Sequence, residues 1–350
     1  MKRADIIIIG GGIAGVSVAA MLGAGKSIVL LERETMLAAH TTGRSAAVFT
    51  ETYGNAKVRA LTAESRPFFE KPPQGFAETP LLHHRPSLMV ATEEDAQHIE
   101  TFISENPRFA RRVEMTEVYT HVPIVRDGFF ANAAVEPNSA DIDVHGLFEG
   151  FRRIAVRNGV EFFTGADVAD VNDDGHDWIV TASGEKYVAP VVVNAAGAWA
   201  GKIGMMADLG DRGLQPMRRT AIMVDAPQGA HVSNWWFLNE AAERFYFKPD
   251  AGAILASLAD ETPSDPCDAQ PEEIDVATIA FRLEEATTLS IKRIRRSWAG
   301  LRTFTPNRTP IFEFDPQAPG FFWLAGQGGY GIQTAPALAR HAAQSILAAL

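Results

Sequence analysis

The feature that most constrains this chain is its opening run, Ala4-Asp5-Ile6-Ile7-Ile8-Ile9-Gly10-Gly11-Gly12-Ile13-Ala14-Gly15. A row of β-branched residues without polar alternation suits a parallel strand covered on both faces. Gly10, Gly12 and Gly15 follow in G-x-G-x-x-G spacing. In a strand–turn–helix unit the first glycine permits the turn and the second admits a pyrophosphate to the backbone. The third lets the helix pack on the strand. A helix from Ile13 to about Leu22 then aims its first amides at that pyrophosphate.

The motif alone is weak evidence, but its surroundings support it. Ser27-Ile28-Val29-Leu30-Leu31 reads as a second strand and ends in Glu32. That carboxylate stands near the roughly 20-residue spacing at which a ribose hydroxyl finds its acceptor. Met1-Lys2-Arg3 before an apolar stretch also has the outline of a signal peptide. The glycines, Asp5 and the βαβ continuation argue against that reading and against a membrane span.

The 350 residues suffice for two domains, or for one large α/β body with an insertion. A net charge of −11 argues against nucleic acid or an anionic membrane as the main partner. The single cysteine, Cys267, can form neither an internal disulfide nor a metal cluster. It points to a reducing cytoplasm, and no metal site is expected.

Farther along, His40-Thr41-Thr42-Gly43-Arg44-Ser45-Ala46-Ala47 is a loop of small and hydroxylic residues. It can lie against a ring or phosphate, or be an ordinary loop with a helix N-cap at Thr41 or Thr42. A helix is expected over 56–69, closed by Pro72-Pro73, and a strand over 81–91 centred on Leu88-Met89-Val90. A polar helix covers 93–106, and 118–135 reads as short strands with turns. A helix over 146–158 follows Asp143, and a β-rich block with a hairpin around Ala182-Ser183-Gly184 occupies 160–199. Its last strand ends in Asn194-Ala195-Ala196-Gly197, a place for a ligand or for plain helix packing. Strands resume at Met217, with a loop over 237–244, strands over 245–250 and 253–258, and a helix over 274–289. The tail, Phe321 to Pro336, is again strand, glycine turn and helix.

Gly10 to Gly15, Glu32-Arg33, Thr42 to Ala46, Asn194 to Trp199, Trp298-Ala299-Gly300-Leu301-Arg302 and Gly328-Gly329-Tyr330-Gly331 stand in an order that resembles the D-amino acid oxidase/glycine oxidase family of FAD enzymes. Within it, His40 to Ala47, Tyr53-Gly54 and Gln327 to Thr334 are similar to the bacterial D-arginine dehydrogenases. The resemblance implies an α/β fold. It has a Rossmann-like, GR2-type FAD-binding domain (1–47, 140–214 and 297–350) and a discontinuous antiparallel substrate domain with helices (48–139 and 215–296). It implies non-covalent FAD. Gly10, Gly12, Ile13, Ala14, Gly15, Glu32 and Arg33 would hold the ADP half, with Val168 meeting the adenine. Thr41, Thr42, Gly43, Arg44, Ser45, Ala46 and Ala47 would pass over the pyrophosphate and flavin. Ala196 and Gly197 would line the ribityl side. Gly300, Gly328, Gly329, Tyr330, Gly331, Ile332 and Gln333 would meet the ring.

The same resemblance implies oxidative deamination of a D-amino acid, an oxidoreductase acting on a CH–NH2 donor. A hydride leaves the α-carbon for flavin N5, and the imino acid becomes a 2-oxo acid and ammonia. Arg302 would grip the substrate carboxylate, which a bidentate guanidinium suits. Tyr246 would share it, with Arg219 nearby and Tyr53 over the pocket. On the residues alone, Arg302 reads as a salt-bridged surface residue and Tyr246 as a core aromatic. Gln333 is expected to touch both flavin and pocket, and Gly329 to lie beside the substrate. The acceptor of the electrons is oxygen or a quinone.

The sequence departs from the arginine-specific pattern in the side-chain pocket. Ser87 stands where a glutamate would meet a guanidinium. Losing such a charge-assisted bond costs about 1.5–3 kcal/mol of selectivity. Val48 and Phe49 replace polar residues, and the 237–244 loop reads as a lid in which Glu240 or Glu243 could restore a charge. A broader or more apolar preference follows. The alternative substrate is glycine, sarcosine or an opine-type secondary amine.

Overall fold

The computed structural model describes residues 1–350. Ile6–Ile9 lies inside a six-stranded sheet. The strand order is Glu161–Phe163, Ile28–Leu31, Ile6–Ile9, Val191–Asn194, Phe321–Ala325, Ile311–Phe314. Every neighbouring pair is parallel except the last. The run of isoleucines is explained by what covers each face. Ile6 and Ile8 pack among the helices Ile13–Met21, Val144–Arg157 and Gly331–Ala349. Ile7 and Ile9 point the other way, into a core shared with Val171, Trp178 and Val180. Those residues belong to a four-stranded sheet of Lys2–Arg3, Glu185–Ala189, Trp178–Ala182 and Val168–Asp173.

A nine-stranded, mainly antiparallel sheet forms the second body. Its path runs Thr262–Pro263, Gln215–Val224, Ala253–Ser257, Tyr246–Asp250, Phe237–Glu240, Ser87–Ala91, Asn132–Glu136, Arg111–Val113. Ile294–Phe304 pairs with Gln215–Val224 along its length. Side chains alternate between faces along a strand, and directly opposed residues share a face. Ile222, Ala256, Phe247, Leu238, Leu88 and Val135 therefore fall on one side, in a core with Ile279 and Leu283 of the helix Glu273–Ala286. Arg302, Arg219, Ala221, Ser257, Tyr246, Asn239, Ser87 and Glu136 fall on the other. A small sheet of Val48–Phe49, Ala140–Ile142 and Leu82–His84 lies where the chain passes between the bodies.

Several expectations need correction. The strand expected over 81–91 breaks at Arg85-Pro86 into Leu82–His84 and Ser87–Ala91, which join different sheets. Proline lacks the amide a continuous ladder needs and restricts the residue before it. The strands expected over 118–135 begin instead with a short helix, Met115–His121, which buries Val118 against the sheet. The β-leaning residues Val118, Tyr119 and Thr120 are overruled by that packing. The lid over 237–244 is half strand: Phe237–Glu240 is an interior strand and only the turn beyond it is loop. The boundary at 297 falls within the strand Ile294–Phe304.

Candidate functional site

A cavity of about 710 Å³ opens between the two bodies. At one end its lining is largely backbone. Gly12, Ile13 and Ala14 bring the start of the first helix to it, and Gly331 brings the start of the last. Neither helix has an acidic residue in its first turn, so both positive ends are free to receive an anion. Gly10 and Gly15 serve the fold: a Cβ would sit 2.3 Å from the Ala195 carbonyl oxygen at Gly10 and 1.9 Å from the Gly10 oxygen at Gly15. At Gly12 a Cβ would meet only the Thr42 hydroxyl, at 3.3 Å, and at Gly197 nothing within 4 Å. These two leave bare backbone facing the cavity, which suits close approach of a dinucleotide.

The loop over 40–47 forms no helix and caps none of its own. Thr42 Oγ1 instead accepts from the Ile13 amide at 3.0 Å, a cap supplied across the fold. Thr41, Thr42, Arg44, Ser45, Ala46 and Ala47 line the cavity, with Gly300, Gly328, Gly329, Tyr330 and Ile332. The Arg44 guanidinium is turned away, to Asp268 and the carbonyls of Ala269 and Ala299.

Other expected cofactor residues stand behind the lining. Glu32 is buried and accepts from the Gly11 amide at 2.7 Å and the Glu34 amide at 2.9 Å. Arg33 lies over the Trp199 ring at 4.7 Å. Gly43, Val168 and Ala196 are also outside the lining. Gln333 is the clearest departure. Its side chain is buried and brackets Thr50, accepting from that amide at 3.2 Å and donating to that carbonyl at 3.3 Å. It also donates to Thr62 Oγ1 at 2.9 Å and does not reach the cavity. Phe49 is likewise in the core, edge-on to Phe69, while Val48 lines the cavity.

At the other end the lining is side chain. Arg302, Arg219, Tyr246, Tyr53 and Ser87 converge there from five separate segments. The Tyr53 hydroxyl and Arg302 Nη1 meet over Gly329: a Cβ on that glycine would lie 2.7 Å from one and 3.0 Å from the other. Arg302 pairs with no carboxylate. Burial works against its charge, but Tyr246, Tyr53 and Asp260 outweigh it and its pKa lies above the ordinary arginine value. Burial also works against a Tyr246 phenolate, yet Arg302 and Arg219 together bring that phenol below its usual range. Arg219 is already engaged: Nε donates to the Asp260 carbonyl at 2.7 Å and Nη2 stands 3.7 Å from Glu261. Tyr330 donates to the Arg308 carbonyl at 2.7 Å, and burial pushes its phenol up to about 12. A half-buried guanidinium with no carboxylate partner, flanked by phenols in a cavity, has the chemistry to receive a carboxylate.

Ser87 accepts from Asn239 Nδ2 at 3.0 Å, so the side-chain floor carries a neutral pair. Glu240 and Glu243 both line the cavity; the Glu240 carboxylate is buried and held by Arg244 at 2.6 Å, while Glu243 stands at its exposed rim. The reading from sequence missed Asn239, Glu261, Met89 and Phe102, all of which line the cavity. The signal for Asn239 is register: in a strand over 237–240 it lies opposite Tyr246 and so shares its face.

Comparison with known proteins bears on the family and the fold. The family model described as FAD dependent oxidoreductase, DAO, matches residues 5–345. A cattle (Bos taurus) protein, FAD-dependent oxidoreductase domain-containing protein 1, is 24% identical over 99% of this chain and 82% of its own length. Glycine oxidase from Geobacillus kaustophilus is 22% identical over 95% of this chain and 90% of its own. Its crystal structure superposes with a TM-score of 0.85 at 21% identity, over 99% of this chain and 95% of that one. L-proline dehydrogenase from P. horikoshii matches with the same score at 19% identity, over 98% and 93%. These superpositions establish the shared fold. No helix is long and apolar enough to cross a membrane.

Proposed function

The chain belongs to the DAO family of FAD-dependent oxidoreductases, and from that premise we propose that it oxidises the Cα–N bond of D-amino acids. The products are an imino acid, then a 2-oxo acid and ammonia. The observation that carries this reading is Arg302, unpaired, facing Tyr53 over Gly329 in a cavity whose far end receives two helix N-termini. FAD, when bound, supplies the two-electron oxidation.

The chain's own residues do the rest. The Ala14 amide and the bare backbone at Gly12 and Gly197 would hold the ADP half and its pyrophosphate, without a covalent link, beside an Ile13 amide already capped by Thr42. Gly328 to Ile332 would hold the ring. Arg302 binds the substrate carboxylate, with Tyr246 sharing it from another strand of the same sheet. Fixing one end of the substrate in this way turns the reaction into an effectively unimolecular step. Tyr53 orients the amine, which must be neutral for the α-carbon to give up its hydride. The division at 47, 140, 214 and near 297, the cytoplasmic setting and an oxygen or quinone acceptor belong to the same reading.

Side-chain preference follows from the floor. Ser87 and Asn239 offer no charge to a guanidinium, and Glu240 is already neutralised by Arg244. Met89, Phe102 and Phe237 favour apolar side chains. The test is anaerobic mixing with single D- and L-amino acids while flavin absorbance is followed. Bleaching by neutral D-amino acids supports the reading. D-arginine exceeding every neutral D-amino acid more than tenfold in kcat/KM defeats the preference, and bleaching by L-enantiomers alone defeats the stereochemistry. Arg219 lines the same cavity as a second guanidinium. The second reading is glycine, sarcosine or an opine-type secondary amine, and the second guanidinium favours the opine type, whose nitrogen substituent carries another carboxylate. An N-carboxymethyl amino acid in the same panel separates the two.

A further inference from the structure

Glu136 ends the strand Asn132–Glu136, lies opposite Ser87 in register and is 1% exposed. Both of its oxygens are used. Oε1 accepts from the Glu51 amide at 2.7 Å, and Oε2 accepts from the Thr52 hydroxyl at 2.6 Å. Thr52 lines the cavity and Tyr53 follows it. The same short segment is gripped at Thr50 by the Gln333 amide and at the Glu51 carboxylate by Arg66, 2.6 Å away. Contacts from three different elements thus converge on the residues just before Tyr53, far more anchoring than a surface turn needs.

We propose that Glu136 is the positioning residue that sets Tyr53 in the substrate cavity, acting through the Glu51 amide and the Thr52 hydroxyl. This rests on the amine-oxidising reading above. A carboxylate is the one side chain of this size that accepts at both ends, and an unneeded one would be costly at this depth. The charged groups facing it are Glu51, of like sign, and Arg66 from the helix Ala56–Glu70. Burial pushes its carboxyl up to about 6, against the pull of Thr52 and the Glu51 amide. When it takes a proton, one oxygen becomes a donor. The Glu51 amide cannot accept, so the Thr52 hydroxyl must reverse, and the segment ahead of Tyr53 loosens.

The test uses the FAD-loaded enzyme and the variants Glu136→Ala, Glu136→Gln and Tyr53→Phe. Glu136→Ala is expected to lower kcat/KM at least tenfold, chiefly in kcat, and to lose little more when added to Tyr53→Phe. Glu136→Gln has the hydrogen-bonding pattern of the protonated acid, an acceptor for Glu51 and a donor for Thr52, so at every pH its activity is expected at the lower level wild type reaches below about pH 6, with no acidic limb of its own. Amide hydrogen exchange at Glu51 to Tyr53 is expected to quicken at least tenfold in Glu136→Ala. Unchanged exchange there, additive losses with Tyr53→Phe, or an acidic limb that persists in Glu136→Gln overturns the proposal. Should Glu136→Ala not fold, the Glu136→Gln pH profile decides. If no amine reduces the wild-type flavin, the proposed reaction fails, while the exchange measurement in Glu136→Gln and wild type between pH 5 and 8 still judges Glu136. A pH-dependent quickening in wild type alone supports it, and identical profiles overturn it.

Discussion

Around Gly12 the cavity wall is backbone, while around Arg302 it is side chain. The backbone wall is assembled mainly from glycine turns at helix starts, and the geometry of those turns is fixed locally. A Cβ at Gly15 would lie 1.9 Å from an oxygen only five residues away. The side-chain wall is assembled from one face of a nine-stranded sheet, where Arg302, Arg219, Tyr246 and Ser87 come from four strands. Only pairing and register put them together. One half of the site is therefore written in neighbouring letters and the other in a long-range arrangement.

The sharpest way to break this contrast is Arg302→Met. Removing one partner of a desolvated charge pair costs about 2–5 kcal/mol. A fall in kcat/KM for carboxylate substrates of about 30-fold to several thousandfold is expected, with FAD affinity unchanged. If FAD affinity falls as far as kcat/KM, the two ends are not separable.

Next in size is Gly15→Ala against Gly12→Ala. The first forces a Cβ into backbone and is expected to cost about 3 kcal/mol or more of stability. The second meets only the Thr42 hydroxyl at 3.3 Å. It is expected to leave stability within about 1 kcal/mol and to weaken FAD binding instead. Urea midpoints of the apoproteins and FAD fluorescence titrations measure the two effects. Equal loss of stability would show that Gly12 also serves packing.

A third effect separates the ends by pH. The Glu136 carboxyl is pushed from 4.5 up to about 6 by burial, so the folded protein holds that proton more tightly than the unfolded chain. The stability this confers is full below about 4.5 and is lost as pH rises through about 6. Relative to Glu136→Gln, wild type is expected to lose about 2 kcal/mol of unfolding free energy between pH 4.5 and 7. Urea titrations across that range check the sign. The smallest effect is Thr42→Val, which removes the cap on Ile13 and is expected to cost about 1 kcal/mol in Tm-derived stability.

The contrast also explains what the sequence made legible. The isoleucine run, Gly10, Gly15 and the 326–331 glycines announce themselves because local sterics dictate the residue type. Tyr53, Arg302, Arg219 and Tyr246 do not. On composition a tyrosine suggests core and an arginine suggests surface, and only likeness to a family singled them out. Asn239 was lost because Phe237-Leu238-Asn239-Glu240 lacks clean alternation and runs parallel to a strand some 150 residues earlier. Gln333 was misplaced for the opposite reason. It stands beside the glycine turn in sequence, but one step along the helix turns it inward to Thr50 and Thr62.

The central claim is that Arg302 holds an acid group in a cavity whose other end grips FAD. Its most direct test is anaerobic flavin reduction by a D-amino acid and by the amine of the same side chain lacking the carboxylate, in wild type and in Arg302→Met. The account predicts rapid bleaching only for wild type with the amino acid. Equal bleaching by the decarboxylated amine, or an Arg302→Met enzyme as fast as wild type, would contradict it.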